Sequence, residues 1–256
     1  NISAQDLALQ SQALTWLNFV NSNLSGSFRS TRALGELGDL NATLDFGEGT
    51  LIAAPGIIPV RYSEAKVYFS YMPSLARLEI DLASIKSDWG SLSAEGYALL
   101  LPGAGSSESV NGMVLHLDVE NAVSIKTPWL RDYTRISDAS TQMKISYNPI
   151  KIEIGEFRAE VNGAQMSLSG KANLEPDGWS YVMRANAPDL QSQTILKLWP
   201  ETLKPKSHAW FKKNVKKGSI KNLTLHASKS AGSVVDLASS FQFDQADVKF
   251  MRFMPM

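Results

Sequence analysis

The amino-acid sequence predicts a mainly β protein made of short antiparallel strands, with one or two short helices confined to about residues 190–217. Three observations carry that prediction: apolar and polar residues alternate with period two from about residue 39 onward, a unit of roughly 75 residues recurs, and in one segment, 186–221, the period turns helical. The chain has 256 residues, 44% of them hydrophobic and 20% charged, the composition of a folded protein with a sizeable core. Its 25 basic side chains balance 25 acidic ones, so bulk attraction to nucleic acid is not indicated. The absence of cysteine excludes disulfides, thiolate metal ligands and a cysteine nucleophile, but it does not fix the compartment. The chain opens Asn1-Ile2-Ser3, with no basic leader or long apolar run, and ends at Met256. We therefore expect residues 1–256 to form a single β-rich segment of a larger protein.

Taken in order, the opening from Gln5 to Val20 has apolar residues at Leu7, Leu9, Leu14, Leu17 and Val20. That mixed spacing fits a strand followed by a short helix, or two strands. Beyond residue 39 the alternation is clearer. Met113, Leu115, Leu117 and Val119 point one way while His116, Asp118 and Glu120 point the other, the pattern of a sheet with one apolar face. Met143, Ile145 and Tyr147 repeat the pattern, as do Ile150, Ile152 and Ile154, and then Met166 and Leu168. Pro102 to Ser107 reads as a hairpin connection; its glycines lack the spacing and following helix of a phosphate cradle.

The repeat relates residues 63–100 to 137–174. Ser63-Glu64-Ala65 through Ser70-Tyr71-Met72-Pro73 resembles Ser137-Asp138-Ala139 through Ser146-Tyr147-Asn148-Pro149, and Leu78-Glu79-Ile80 matches Ile152-Glu153-Ile154. Gly90 through Gly96 then corresponds to Gly163 through Gly170. Units of a few strands that stack on one another build an elongated sheet, although a compact sandwich also satisfies the pattern.

A helical insertion is expected at about 189–217. Asp189 or Ser192 can cap a first helix, Pro200 and Pro205 interrupt it, and Lys206 to Val215 form a second with Gly218 just beyond its end. On the second helix Trp210, Phe211, Asn214 and Val215 fall near one face, with Lys212, Lys213, Lys216 and Lys217 around the rest. Between Lys197 and Lys221 eight lysines oppose one acid, Glu201, a local charge of +7 in a neutral chain. Two readings fit: a basic amphipathic element meeting anionic headgroups, each Lys worth about 1 kcal/mol near such a surface, or a helix docked on the sheet with solvated lysines.

Leu198-Trp199-Pro200, Lys204-Pro205-Lys206, Ala209-Trp210-Phe211, Asn214-Val215 and Gly218-Ser219-Ile220-Lys221-Asn222-Leu223 resemble the central signature of the YhdP-type AsmA-like proteins. In that family a W-P motif and an R-x-W-[LF]…N-[IV]…G-x-[IV] run precede a strand; here His208 stands in part of the stretch where Arg is usual. Phe241 to Ala246 and the closing Met254-Pro255 also fit, so the resemblance covers about residues 40–256 and is strongest from 186 onward. It implies a periplasmic part of a Gram-negative envelope protein, attached to the inner membrane by an anchor elsewhere in the chain. It also implies an elongated, curved antiparallel sheet forming an open groove that shields phospholipid acyl chains between inner and outer membranes.

Alternating strands would suit that task, because one apolar face can line a trough while the polar face meets water; the same alternation also lines the dry core of a sandwich. The candidate wall is Val67, Phe69, Leu78, Ile80, Leu82, Met113, Leu115, Leu117, Val119, Met143, Ile145, Ile150, Ile152, Ile154, Met166 and Leu168. The candidate membrane or partner contact is Trp210, Phe211, Lys212, Lys213, Lys216 and Lys217. No enzyme is expected and no cofactor or metal: His116, His208 and His226 are far apart and read as surface residues, and no Gly-x-Ser-x-Gly elbow occurs. The alternative function is a rigid envelope scaffold whose basic helix docks a partner protein.

Overall fold

The computed structural model describes residues 2–10, 12–33, 36–52, 59–103, 106–124, 134–201 and 203–249. Met254-Pro255, and Ala104-Gly105 of the expected hairpin connection at Pro102 to Ser107, lie outside them. The chain begins with β1 (Ile2–Ser3), α1 (Ala4–Ala8), a 3₁₀ segment (Gln12–Phe19), β2 (Val20–Asn21), β3 (Asn23–Ala33), β4 (Glu36–Phe46) and β5 (Gly49–Leu51). Seven longer strands follow: β6 (Val60–Met72), β7 (Arg77–Ser87), β8 (Gly90–Gly103), β9 (Ser106–Ser124), β10 (Thr134–Tyr147), β11 (Ile150–Val161) and β12 (Ala164–Glu175). The chain then forms β13 (Gly178–Gln191), α2 (Ser192–Leu198), α3 (Pro205–Asn214), β14 (Val215–Lys229) and β15 (Asp236–Val248).

All strands join one antiparallel sheet in the order β1-β3-β4-β6-β7-β8-β9-β10-β11-β12-β13-β14-β15, with β2 and β5 paired beside β6. Sequential neighbours from β6 onward are spatial neighbours. The sheet is an open, curved one that does not close on itself. Among the described residues no helix is long and apolar enough to cross a membrane.

The sequence repeat is a structural repeat. β6-β7-β8 and β10-β11-β12 carry register shifts at matching places: at Tyr68/Phe69 and Gln142/Met143, and again at Ile80/Ala83 and Ile154/Phe157. Opposite the second shift stand Gly96 (φ +149°) and Gly170 (φ +154°). At each of these bulges two residues oppose one on the partner strand, which bends the strand and increases its twist, so the two units curve alike.

The opening is helical, not the pair of strands that its spacing also allowed. Ser3 Oγ accepts the Asp6 amide at 3.0 Å and starts α1. In the following 3₁₀ segment, residues three apart eclipse, so Leu14 and Leu17 fall on one side and are buried, at 3% and 0% exposure. The strands also begin earlier than the alternation suggested. β3 pairs with β4 along most of its length but with β1 over only two residues, so among the described residues much of one edge is unpaired, and the side chains from Ser25 to Thr31 are exposed. Phe28, for example, is left 44% exposed.

Two clusters close parts of the apolar face. The segment from Ala4 to Val20 packs on β4, β6, β8 and β9 in the main core, with Trp16 tilted against Phe46 and Phe19 against Tyr147. Far along the sheet, α2 and α3 cover the ends of β13 and β14 through Ile195 and Phe211, packed with Leu190, Val215 and Ile220.

Candidate apolar groove

Directly opposed residues on neighbouring strands share a face, so the register shows which side chains line the trough. One row runs Tyr71, Leu78, Ala98, Leu115, Met143, Ile154, Gly170, Met183, Ala227, Leu237, crossing from β6 to β15. A second runs Phe69, Ile80, Gly96, Leu117, Thr141, Phe157, Leu168, Ala185, Leu225. Val67, Val119, Met113, Ile145, Ile150, Ile152 and Met166 share this face with them. Thr141 puts a hydroxyl into the second row, Tyr71 carries one at the head of the first, and on β15 the second row ends opposite Leu225 at Ser239.

Leu82 is the exception. The bulge between Ile80 and Ala83 places an extra residue in β7, and Leu82 is carried opposite Tyr68 on the outer face. That outer face is polar, crossed by ion pairs of Lys66 with Asp45 (3.3 Å), Lys86 with Glu64 (2.7 Å) and Lys171 with Glu153 (3.5 Å). Exposed pairs of this kind contribute little stability but keep the back of the sheet wet.

Exposure divides the wall. Phe69, Leu78 and Met113 are buried at 3%, 4% and 9%, because they belong to the core sealed by residues 4–20; they line its floor and not the open trough. The other candidates on this face are half-buried: Val67, Leu115 and Ile145 still pack against that core and Met166 against the helical end, whereas Leu117, Met143, Ile152, Ile154 and Leu168 belong to no core cluster among the described residues. The open stretch therefore centres on Leu117, Met143, Ile152, Ile154 and Leu168. Between it and the helices, Ala139, Ala159 and Val161 form a small cluster against which Leu198 packs.

The helical segment differs in detail from its expected form. Gln191 occupies the cap position of α2 without a side-chain bond, and Asp189 lies in β13, where it accepts a bond from Lys221 Nζ at 2.6 Å. Lys221 also lies 3.7 Å from Asp244, so this lysine is paired within the sheet. The Lys221 ammonium holds the Asp189 carboxyl below the usual carboxylate range, and Asp189 in turn raises Lys221.

α3 starts after Lys204, whose backbone is left-handed (φ +52°), with Pro205 in its first turn, and it ends at Asn214. Val215 already pairs with Val248, so Lys216, Lys217 and Gly218 belong to β14 and not to the helix. Gly218 (φ +106°) sits at a register shift, where a Cβ would come within 2.5 Å of Ala246 Cα. Lys212, Lys213, Lys216 and Lys217 are all exposed.

Phe211 is buried at 5% and docks the helix, whereas its neighbour Trp210 is 40% exposed. His208 is not a surface residue: it is 6% exposed and meets the edge of Trp199, ring centroids 5.6 Å apart. The Trp199 indole N–H donates to the Leu203 carbonyl at 2.7 Å and locks the turn between the helices. Of the other histidines, His116 stacks on Tyr97 at 5.3 Å and lies 3.3 Å from Asp118, and His226 is exposed.

Between α2, α3 and the inner faces of β14 and β15 lies a cavity of about 380 Å³, walled almost wholly by apolar side chains. Several of its residues, Leu198, Trp199, Pro200, Trp210, Phe211, Ile220, Leu223 and Phe241, stand in the quoted sequence motifs, but the pattern did not mark a cavity, because Leu225 and Leu237 are brought to it only by strand pairing. No family model, curated protein or solved structure matches the chain at a significant level.

Proposed function

We propose that this chain is a lipid-transfer module of the bacterial cell envelope, its trough shielding phospholipid acyl chains on a path between inner and outer membranes. In this reading it works in the periplasm, as part of an AsmA-like protein held at the inner membrane by another part of the chain. One observation carries the proposal: rows of apolar side chains continue from strand to strand across the sheet, and at the middle of β10 to β12, around Met143, Ile152, Ile154 and Leu168, they join none of the packed clusters among the described residues. Hydrocarbon in water costs about 25 cal/mol per Å² of exposed surface, so an acyl chain laid along such a wall is stabilised continuously as it moves. The headgroup stays in water at the open side, and no catalytic group is required.

Native mass spectrometry of the gently purified protein tests this directly. We expect co-purifying phospholipid, and a triple variant Leu117→Asp/Ile152→Asp/Leu168→Asp that is folded but carries none and transfers lipid between vesicles at least roughly tenfold more slowly, since each buried carboxylate opposes apolar contact. These three positions are chosen over the sealed Phe69, where an aspartate would damage the core itself. Parent protein free of lipid, or undiminished transfer by the folded triple variant, sinks the proposal and leaves the scaffold reading.

A further inference from the structure

The cavity beneath α2 and α3 is the covered end of the apolar face, distinct from its open stretch around Leu117 and Ile152. At about 380 Å³ it lies at the small end of the range of about 300–1,000 Å³ typical of small-molecule pockets. Leu225, Leu237 and Phe241 from the sheet and Leu203 and Trp210 from the helical segment contribute to its wall. A hydroxyl from Ser207 and another from Ser239 are its main polar features.

Trp210 marks the mouth, because it both lines the cavity and is 40% exposed. On α3, Lys206 lies four residues before Trp210 and Lys213 three after, so both flank the indole on the helix surface. Both lysines are exposed. Glu201 is the only acid in the sequence between Lys197 and Lys221, so the helix carries cations with little to offset them. An apolar chamber with an amphipathic aromatic at its rim and two cations beside it has the chemistry to hold an anion joined to a hydrocarbon tail.

We propose that this cavity binds the alkyl tail of an anionic amphiphile, with Lys206 and Lys213 holding the anionic group outside. The inference rests on the lipid-handling reading for its ligand class, but it concerns the chamber that α2 and α3 close over the β14 and β15 end of the face, sharing with the trough rows only Met166, Leu225 and Leu237. The cavity takes one tail; the trough runs on beyond it.

The test uses cis-parinaric acid, whose polyene emission is excited by transfer from nearby tryptophans, with its methyl ester as the uncharged probe. We expect saturable binding of the acid and at least fivefold weaker binding of the ester. In the Leu117→Asp/Ile152→Asp/Leu168→Asp background, where the trough no longer favours hydrocarbon, Ser239→Trp fills the chamber and abolishes the signal; Ser239 is exposed on β15, and an unchanged thermal unfolding curve verifies the fold. Lys206→Glu/Lys213→Glu, at two exposed helix positions, weakens the acid on the order of tenfold and leaves the ester unchanged.

Acid binding that survives Ser239→Trp in that trough-disabled background places the ligand elsewhere and overturns the proposal, as does equal affinity for acid and ester. A parinaroyl phosphatidylglycerol probe separates the sources: anion-dependent binding of this probe that Ser239→Trp removes identifies a phospholipid, and binding of the free acid alone identifies a fatty acid. Ile152→Asp in the trough leaves parinaric acid bound. Loss of trough lipid with cavity binding intact, or the reverse, thus shows which of the two readings has failed.

Discussion

Gly96 and Gly170 show how single residues set the curvature of the sheet. Each stands opposite a bulge with a backbone that L side chains rarely adopt (φ +149° and +154°), and an added Cβ would lie 2.1 Å from the His116 carbonyl oxygen or 2.4 Å from that of Val182. Strand backbone cannot yield there without breaking the ladder. We expect Gly96→Val and Gly170→Val each to cost about 2–4 kcal/mol in urea unfolding, while Gly163→Ala, at a turn with φ +83° and open space around it, costs about 1 kcal/mol. Equal midpoints for all three variants would refute the assignment of the two bulge glycines. Tyr147 gives a pH signature of the sealed end. Its hydroxyl is buried without a hydrogen-bond partner among the described residues, and burial pushes the phenol up to about 12. An unfolded tyrosine ionises near about 10, so the contribution of this group is complete below that pH and is lost as pH rises toward about 12, where the unfolded chain releases its proton first. Burial raises Tyr62 and Tyr71 in the same direction, with a bond to Ser22 partly opposing it at Tyr62. Tyr147→Phe is expected to make the alkaline loss shallower and, by removing an unsatisfied buried hydroxyl, to add about 1 kcal/mol at neutral pH. A steeper alkaline loss in the variant would contradict this account.

At the scale of elements, α3 and β14 divide the lysines into two groups that one helix was expected to hold. Lys212 and Lys213 project from the last turn of α3, whereas Lys216 and Lys217 lie on β14, where Lys217 stands opposite Asp247 in register. If the basic segment meets anionic headgroups, Lys212→Glu/Lys213→Glu should weaken binding to anionic liposomes at least roughly tenfold, and Lys217→Glu, facing an acid, should do much less. Unchanged binding in the first variant leaves a docked helix with solvated lysines. The boundary at Asn214 was not legible because it depends on a distant partner: Phe211, Asn214 and Val215 keep helical spacing, but Val215 is taken into the sheet by Val248. Leu82 went unread for a related reason, since alternation counts residues and a bulge adds one. β3 has few apolar residues beyond Leu24 and Phe28, so a strand with a largely uncovered edge produced little alternation. The long strands β9 to β12 were plain in the sequence because one side of each faces water and the other does not, and the repeat could be read because its bulges recur with its residues. The plug from Ala4 to Val20 carried too short a periodic signal to separate helix from strand, and nothing local marks what it covers.

The whole molecule is a sheet stabilised at two places and open between them. Residues 4–20 seal β4 to β9 and reach Tyr147 on β10, and α2 and α3 cover the ends of β13 and β14 and touch the ends of β10 to β12, so among the described residues the packed layers that stabilise most domains lie at the flanks and not over the middle of β10 to β12. Monomeric proteins rarely expose continuous apolar surface beyond a few hundred Å², and a trough of this kind is more stable filled than empty. The lipid proposed above should therefore act as a missing layer, and its removal should be visible as lost stability. A ligand that binds only the folded state at a hundred times its dissociation constant stabilises by about 2.7 kcal/mol. For a chain of this size each kcal/mol shifts Tm by roughly 2–4 °C, so protein stripped of lipid should melt roughly 5–10 °C below the loaded form and recover when phospholipid vesicles are added. Leu117→Asp/Ile152→Asp/Leu168→Asp should show no such recovery, because its wall no longer favours hydrocarbon. Variants at Ser239 should recover in full, because they leave the open stretch of the trough untouched. If stripped and loaded protein melt together, the uncovered strands are stable without a guest, and the sheet is then better understood as a spacer than as a conduit.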